Sequence, residues 1–195
     1  MSVKNDKVEK LLEENSDVWK SKASLMSYIR GGVRRSLWNR HPSKTKLIKD
    51  KRFQIPNPNP NGKKPTVWGG ECEICNNLFI EKELQVDHIR QQGSSLKDIS
   101  DIQQFIEDIV IVTRDDLRWV CKGCHEIVSY SQKMDISFEQ ARVEKQFIQI
   151  KKDKNVVDNI KAFNVQSIPK LKKDQESLLR ELLLENMNSD KQTKD

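Results

Sequence analysis

Four cysteines restrict the folding of this chain more than any other feature. They fall as Cys72-Glu-Ile-Cys75 and Cys121-Lys-Gly-Cys124, two Cys-x2-Cys knuckles with 45 residues between them. Two thiols at this spacing bind one metal from a tight turn, and two such turns complete a tetrahedral four-sulfur site, for which zinc is the usual occupant. With all four positions filled by protein, the ion is expected to be structural. Iron–sulfur ligation, a redox dithiol and unliganded buried thiols are the competing readings. Composition gives the zinc a purpose. Hydrophobic residues make up 35% and charged residues 33%, against about 45–50% and about 25% in ordinary domains, and mean hydropathy is −0.75. A 195-residue chain of this kind holds one modest core with long decorations, which excludes a large barrel or a doubly wound enzyme. The metal supplies folding energy that such a core lacks.

Charge is distributed unevenly. Residues 18–70 carry thirteen Lys or Arg against one acid, Asp50, a net of +12, whereas residues 71–130 carry six basic and twelve acidic residues, a net of −6. Clustered positive charge is what binds a polyanion, and solubility alone does not require the signs to be separated. The basic segment therefore points to nucleic acid, with a solvated face or an acidic protein partner as the alternatives. Arg30, Arg34, Arg35 and Arg40 are the expected phosphate contacts, with Lys44 and Lys46 beyond them. No run approaches 18 apolar residues, and the start MSVKNDKVEK has no apolar stretch of the signal-peptide kind. Neither membrane insertion nor export is expected, and the protein is expected to work in a cytoplasm.

Residues 1–16 are mostly polar and read as a short, loosely held helix or as a frayed end. A second helical stretch starts at Asp17, with Val18, Trp19, Met26, Ile29, Val33 and Leu37 as its apolar positions and Gly31-Gly32 as a dividing point. That stripe is expected to pack on the zinc domain. His41-Pro42 should end the helical pattern, followed by a basic strand or loop over 44–55 and an extended Pro/Asn connector over 56–62. His41 is open between a phosphate contact and an inert surface histidine. Strands are expected within 80–86 and 117–120, a turn at 93–95, and a helix near 101–109 capped by Ser100 and Gln103. Residues 109–112 read equally as helix end or strand. A helix should begin near Lys122. Ser137 and Gln140 cap a further helix over 138–150, residues 171–187 form another, and 188–195 should be unstructured. The C-terminal helices are packing arms or contacts for an oligomer or a protein partner.

One cluster carries chemistry. Asp87-His88 follows a predicted strand directly, His125 follows the last cysteine, and zinc between the knuckles would draw these residues together. A carboxylate and an imidazole can hold a divalent cation, while a neighbouring histidine that is not a ligand can deprotonate water. With Cys72-x2-Cys75, Val86-Asp-His-Ile89, Asp116-Leu117-x2-Val-Cys121 and Cys121-x2-Cys-His125, residues 70–130 resemble the cysteine-bearing branch of the HNH, or ββα-metal, endonucleases. The family string reads C-x2-C, then D-H-I, then N-L-x2-L-C-x2-C-H, and small basic members are frequent in bacteriophages and mobile elements.

The resemblance implies an α+β fold. A small ββα-metal zinc-knuckle core would span residues 67–132, between a basic, mostly helical DNA-binding arm over 1–66 and a helical extension over 133–195. It implies a metal-dependent DNA endonuclease that leaves 5′-phosphate and 3′-hydroxyl ends. His88 would be general base, and Asp87 and His125 would be ligands of Mg²⁺ or another divalent cation. Cys72, Cys75, Cys121 and Cys124 would hold a separate structural zinc. Asp116 stands where the family has asparagine, as a support of the loop or an outer ligand, with Asp115 open to the same roles. Arg90 and Arg118 would contact phosphates near the scissile bond or pair with acids. The sequence departs from the family at Arg90-Gln91, where a proline is common, and at Val128, where a lysine is common. The rival reading is a zinc-stabilised DNA-binding or protein-docking module without catalysis. The host compartment expected is a bacterial or phage-infected cytoplasm.

Overall fold

The computed structural model describes residues 4–89 and 96–192, and its chain forms two compact units, Met1–Lys122 and Gly123–Asp195. The first begins with α1 (Lys4–Glu14) and α2 (Lys22–Ser36). Ser21 caps α2 by a reciprocal exchange: its hydroxyl accepts from the Ser24 N–H, and the Ser24 hydroxyl accepts from the Ser21 N–H. The helix runs unbroken through Gly31-Gly32, so the expected division does not occur. Each glycine costs about 1 kcal/mol relative to alanine, and burial outweighs it. Leu25 and Met26, supported by Ile29 and Val33, share one cluster with Val8 of α1 and with Leu96, Phe105 and Ile109. Two expected members of the stripe fall outside it: Val18 is 63% exposed and Leu37 is 45% exposed, because the helix starts after one and ends before the other.

Pro42 opens a helix instead of ending one. At the first helical position its missing N–H would have had no helical partner, and α3 runs from Pro42 to Lys51. The strand or loop expected over 44–55 is therefore helix up to Lys51, with β1 at Phe53–Pro56. The Pro/Asn run is the loop of a hairpin joining β1 to β2 (Thr66–Glu71). Asn57 N–H donates to the Pro65 carbonyl at 2.9 Å. The Asn57 and Asn59 side chains accept from the N–H groups of Asn59 and Asn61, each at 3.0 Å. β3 (Leu78–Ile80) completes an antiparallel sheet in the order β1-β2-β3. Strand pairing thus crosses residue 66, and the compact units meet at Lys122/Gly123.

A second, two-stranded sheet pairs β4 (Leu84–His88) with β5 (Leu117–Cys121), with Asp87 opposite Arg118 and His88 opposite Leu117. Between them in sequence lies α4 (Ile102–Val110), so residues 109–110 are helix end. The cap before α4 is Asp98, whose carboxylate accepts from the Ser100 N–H, while Asp101 returns the bond to the Asp98 N–H. Ser100 and Gln103 do not form the expected cap: the two aspartates start a 3-10 turn at Ile99 ahead of the helix. The turn expected at 93–95 lies outside the described residues.

The second unit contains most of α5 (Lys122–Met134), then α6 (Phe138–Lys152), α7 (Val156–Ala162) and α8 (Lys172–Gln192). The Ser137 and Gln140 capping box opens α6 as expected. The core is Val143, Phe147 and Ile150 of α6 with Ile160 of α7 and Leu179 and Leu183 of α8. α7 was not expected, since only Ile160 marks it as buried. Lys154 and Asn164, both left-handed, turn the chain on either side of it. α8 continues through Gln192, into the stretch expected to be unstructured; 193–195 lie outside the described residues.

Candidate functional site

The first knuckle is a tight turn at the end of β2. Cys72 N–H donates to the Asn77 carbonyl at 3.0 Å and Asn76 N–H to the Cys72 carbonyl at 2.8 Å. Asn76 is left-handed, a conformation its short polar side chain tolerates. β2 lies so close to β5 that a Cβ on Gly70 would stand 2.4 Å from the Trp119 ring, which leaves only glycine at this position. Glu73 ties the turn to β5 twice: its N–H donates to the Trp119 carbonyl at 3.0 Å and its carboxylate accepts the Trp119 N–H at 3.1 Å. The second knuckle starts at the end of β5 and finishes with Cys124 in the first turn of α5.

These elements bring the sulfurs of Cys72, Cys75, Cys121 and Cys124 within 4.8 Å of one another. Zn–S bonds of about 2.3 Å in a tetrahedron need sulfurs roughly 3.8 Å apart, so the four thiols close on an ion with little movement. The donor chemistry agrees. Burial pushes the Cys72 thiol up, but N–H groups of Cys121, Cys75 and Ile74 and the Cys75 side chain outweigh it and bring Cys72 down to about 7. The Cys121 N–H lies 3.2 Å from the Cys72 sulfur. Hydrogen bonds to sulfur favour the thiolate, the form that ligates zinc.

Of the expected catalytic residues, Asp87 and His88 end β4 and His125 lies in α5. Asp87 is 9% exposed, and its Oδ2 accepts from Arg118 Nε at 3.0 Å and Nη2 at 2.8 Å. The expected cation ligand thus faces a guanidinium directly across the strand pair, and the expected phosphate contact is engaged with a carboxylate. His125 is half-buried in the first turn of α5. Among the described residues, the four cysteines form the one group of three or more metal-binding side chains close enough to share an ion. Asp87 is thus engaged by Arg118, and His125 lies in the first turn of α5.

His88 ends β4 under cover. Its ring stacks on Trp38 with centroids 4.5 Å apart and planes 28° from parallel. One ring nitrogen is hydrogen-bonded to the Ile109 carbonyl; Nε2 is buried with no hydrogen-bond partner. Burial pushes the His88 imidazolium below the ordinary histidine range, against the Asp87 carboxylate, the Ile109 carbonyl and Asp116, which favour it; His41 adds to the lowering. His41, 8% exposed, donates from Nε2 to the Val110 carbonyl at 2.8 Å, so it is neither surface residue nor phosphate contact. Its Nδ1 is also buried without a partner. Two imidazoles are thus anchored to consecutive carbonyls at the end of α4, and both rings neighbour Trp38.

Asp116 supports the loop after His88 through its backbone: the Ile89 N–H donates to its carbonyl at 2.8 Å. Its carboxylate accepts from the Thr113 N–H at 2.8 Å and hydroxyl at 2.7 Å. Aspartate in place of asparagine therefore keeps a structural role in which no amide donor is needed. Of the expected phosphate contacts, Arg34, Arg35 and Arg40 are exposed. Arg30 turns inward, with Nη2 on the Leu96 carbonyl at 3.3 Å. Lys44 lies with its ammonium 5.2 Å from the Trp38 ring centroid, Lys46 pairs with Asp50 at 3.1 Å, and Arg90 lies outside the described residues. Sequence reasoning missed Trp38 and His41 as neighbours of His88. Their spacing of three residues puts two rings on one side of a turn, but nothing local in the sequence marks the strand end that the rings meet.

Fold and site define a mixed α+β protein with a cluster of four cysteines able to hold a metal ion. Comparison with protein-family models, with curated proteins and with solved structures finds no match to this chain. No helix among the described residues is long and apolar enough to cross a membrane.

Proposed function

We propose that the chain is a zinc-stabilised DNA-binding module. The observation that carries this reading is the group Arg34, Arg35 and Arg40, exposed at the end of α2 and at the end of the 3-10 turn Trp38–Arg40 that follows it. None of them meets a carboxylate among the described residues, and they stand in a segment whose one acid is Asp50. Zinc on Cys72, Cys75, Cys121 and Cys124 holds β2 and β5 together, and the N-terminal helices present the cations. Contacts of this kind give affinity and orientation more than sequence choice. Fluorescence anisotropy with unrelated duplexes tests it. Binding that weakens with salt is expected, and Arg34→Gln/Arg35→Gln/Arg40→Gln should weaken it equally for every sequence. No duplex binding by zinc-loaded protein at low salt would refute it.

A second reading, a DNA endonuclease of the HNH kind, is favoured by His88. A general base needs one nitrogen held and the other without a partner, and His88 has that pattern. It would take the proton of the attacking water. No step through a divalent cation is derived, because Arg118 answers the Asp87 charge. Relaxation of supercoiled plasmid that is lost in His88→Ala supports this reading; equal relaxation by the variant removes it. The working compartment consistent with either reading is the cytoplasm of a bacterial or phage-infected cell. α6 and α8 are the surfaces through which a second copy or a protein partner would be met.

A further inference from the structure

His88 and Trp38 are fifty residues apart in sequence, and their stack is the contact that separates the two readings above. Trp38 belongs to a three-residue 3-10 turn, Trp38–Arg40, between α2 and α3, and no side chain caps that turn. On one side of Trp38 stand Arg34 and Arg35; on the other stand Arg40 and Lys44. The Lys44 ammonium rests over the Trp38 ring, where burial pushes it below its ordinary range. The ring covers His88, whose Nε2 is left buried without a partner. An unpartnered buried nitrogen is costly, so this closed arrangement holds a polar group that would gain from exposure. The short turn carries the cover and Arg40, and the helix ends on either side of it carry Arg34, Arg35 and Lys44.

From this geometry we infer that Trp38 is a shutter over His88, and that DNA phosphates seated on Arg34, Arg35, Arg40 and Lys44 open it. The inference rests on the DNA-binding reading and adds a coupling to it. A phosphate near Lys44 restores the solvation and pairing that the ammonium lacks against the indole, and so draws Lys44 off the ring. With Lys44 gone, the stack on His88 and the packing of Trp38 against the apolar cluster of α1, α2 and α4 keep the turn closed. A stacked aromatic pair biases a two-state equilibrium by roughly two- to tenfold, a range that a few phosphate contacts overcome. Binding is reciprocal: if DNA favours the open state, then removing the stack must tighten DNA binding by the factor by which it uncovers His88. A purely structural tryptophan would produce no such equality, and a tryptophan that contacts DNA would give the opposite sign.

The test uses full-length, zinc-loaded protein without added divalent cations. Diethyl pyrocarbonate labels neutral imidazoles, and with three histidines in the chain peptide mass spectrometry resolves His88 from His41 and His125. Trp38→Leu, which keeps apolar volume and loses the stack, is expected to raise both the labelling rate of His88 and the affinity for a short duplex by the same factor, about three to ten. Trp38→Phe should stay near wild type in both. Unchanged His88 labelling in a Trp38→Leu protein that retains zinc, or DNA affinity that stays level or falls, overturns the shutter. If Trp38→Leu loses zinc, wild type decides: His88 labelled as quickly in the native protein as in urea also overturns it. Failure of wild type to bind any duplex removes the DNA-binding reading instead. Uncovered His88 with no plasmid relaxation once Mg²⁺ or Mn²⁺ is added leaves the shutter standing and removes the endonuclease reading.

Discussion

The ion pair between Asp87 and Arg118 gives the sharpest energetic test of how the centre is built. The two side chains stand opposite each other on β4 and β5, with 12% and 20% of their surfaces exposed and 2.8 Å between Oδ2 and Nη2. Removing one partner of a fully buried pair costs about 3–5 kcal/mol, because the other charge stays desolvated. Residual exposure on both sides reduces that, and Arg118→Met is expected to cost about 2–3 kcal/mol. Asp87→Asn removes the less exposed charge and keeps an acceptor oxygen for Arg118, so its cost should be smaller, about 1–2 kcal/mol. The double variant should cost clearly less than the two added together, by about 1 kcal/mol or more. Urea unfolding of zinc-loaded protein followed by tryptophan fluorescence measures this. All four tryptophans, at 19, 38, 68 and 119, lie in the first compact unit, so the signal reports that unit alone. An Arg118→Met variant within about 0.5 kcal/mol of wild type, or single costs that simply add, would refute the reading of Asp87 as a carboxylate held by its cross-strand partner.

Other consequences are as direct. Cys121→Ser should drop bound zinc from one per chain to less than about half after dialysis, with loss of cooperative unfolding of the first unit; full zinc retention would place the metal elsewhere. Burial holds His88 below its ordinary value of 6.5, so on acidification the unfolded chain takes up this proton first. Its contribution is therefore fully present above about pH 6.5 and is lost as the pH falls through the folded value. His88→Asn should flatten the fall in unfolding free energy between about pH 7 and pH 5, and an unchanged slope would assign that fall to other groups. Ser137→Ala removes the α6 cap and should cost about 1 kcal/mol in the helical unit, read by circular dichroism because that unit has no tryptophan.

What the sequence made legible follows the range of the physics involved. The knuckles could be read because two thiols on one short turn need no knowledge of the rest of the fold, and the strands expected within 80–86 and 117–120 because alternation is local, although the first is found at 84–88, after a 3-10 turn over 81–83. The Asp87–Arg118 pair was readable in part. Opposite charges lie one residue inward from His88 and Leu117, and they face each other once that register is known. Pro42 was misread because proline ends one helix and opens another by the same missing N–H, and only the following turn of α3 decides between them. Trp38 over His88 was out of reach. It depends on where α2 and α3 place a three-residue turn, a matter of packing between Met26, Phe105 and Ile109 and not of any pattern near Trp38 itself.

The separated charges also mean something different once folded. Three cations of the basic segment turn back onto acids of the following one: Lys22 onto Asp98, Lys51 onto Glu73 at 2.8 Å and Arg52 onto Glu81 at 3.5 Å. Lys46 meets Asp50, and Arg30 serves a backbone carbonyl. Part of the +12 is therefore internal glue, and the cations placed for a polyanion from the end of α2 to the start of α3 reduce to Arg34, Arg35, Arg40 and Lys44. Each phosphate neutralised contributes about 0.9 to the slope of log affinity against log salt concentration, so four give an expected slope of about −3 to −4 for a duplex. Replacing Lys51 with glutamine should leave that slope alone while lowering stability, whereas replacing Arg40 should reduce it by about 1. A slope near −10, or one that falls with Lys51, would mean that the paired lysines leave their carboxylates for DNA, and that the fold does not divide its cations between structure and binding.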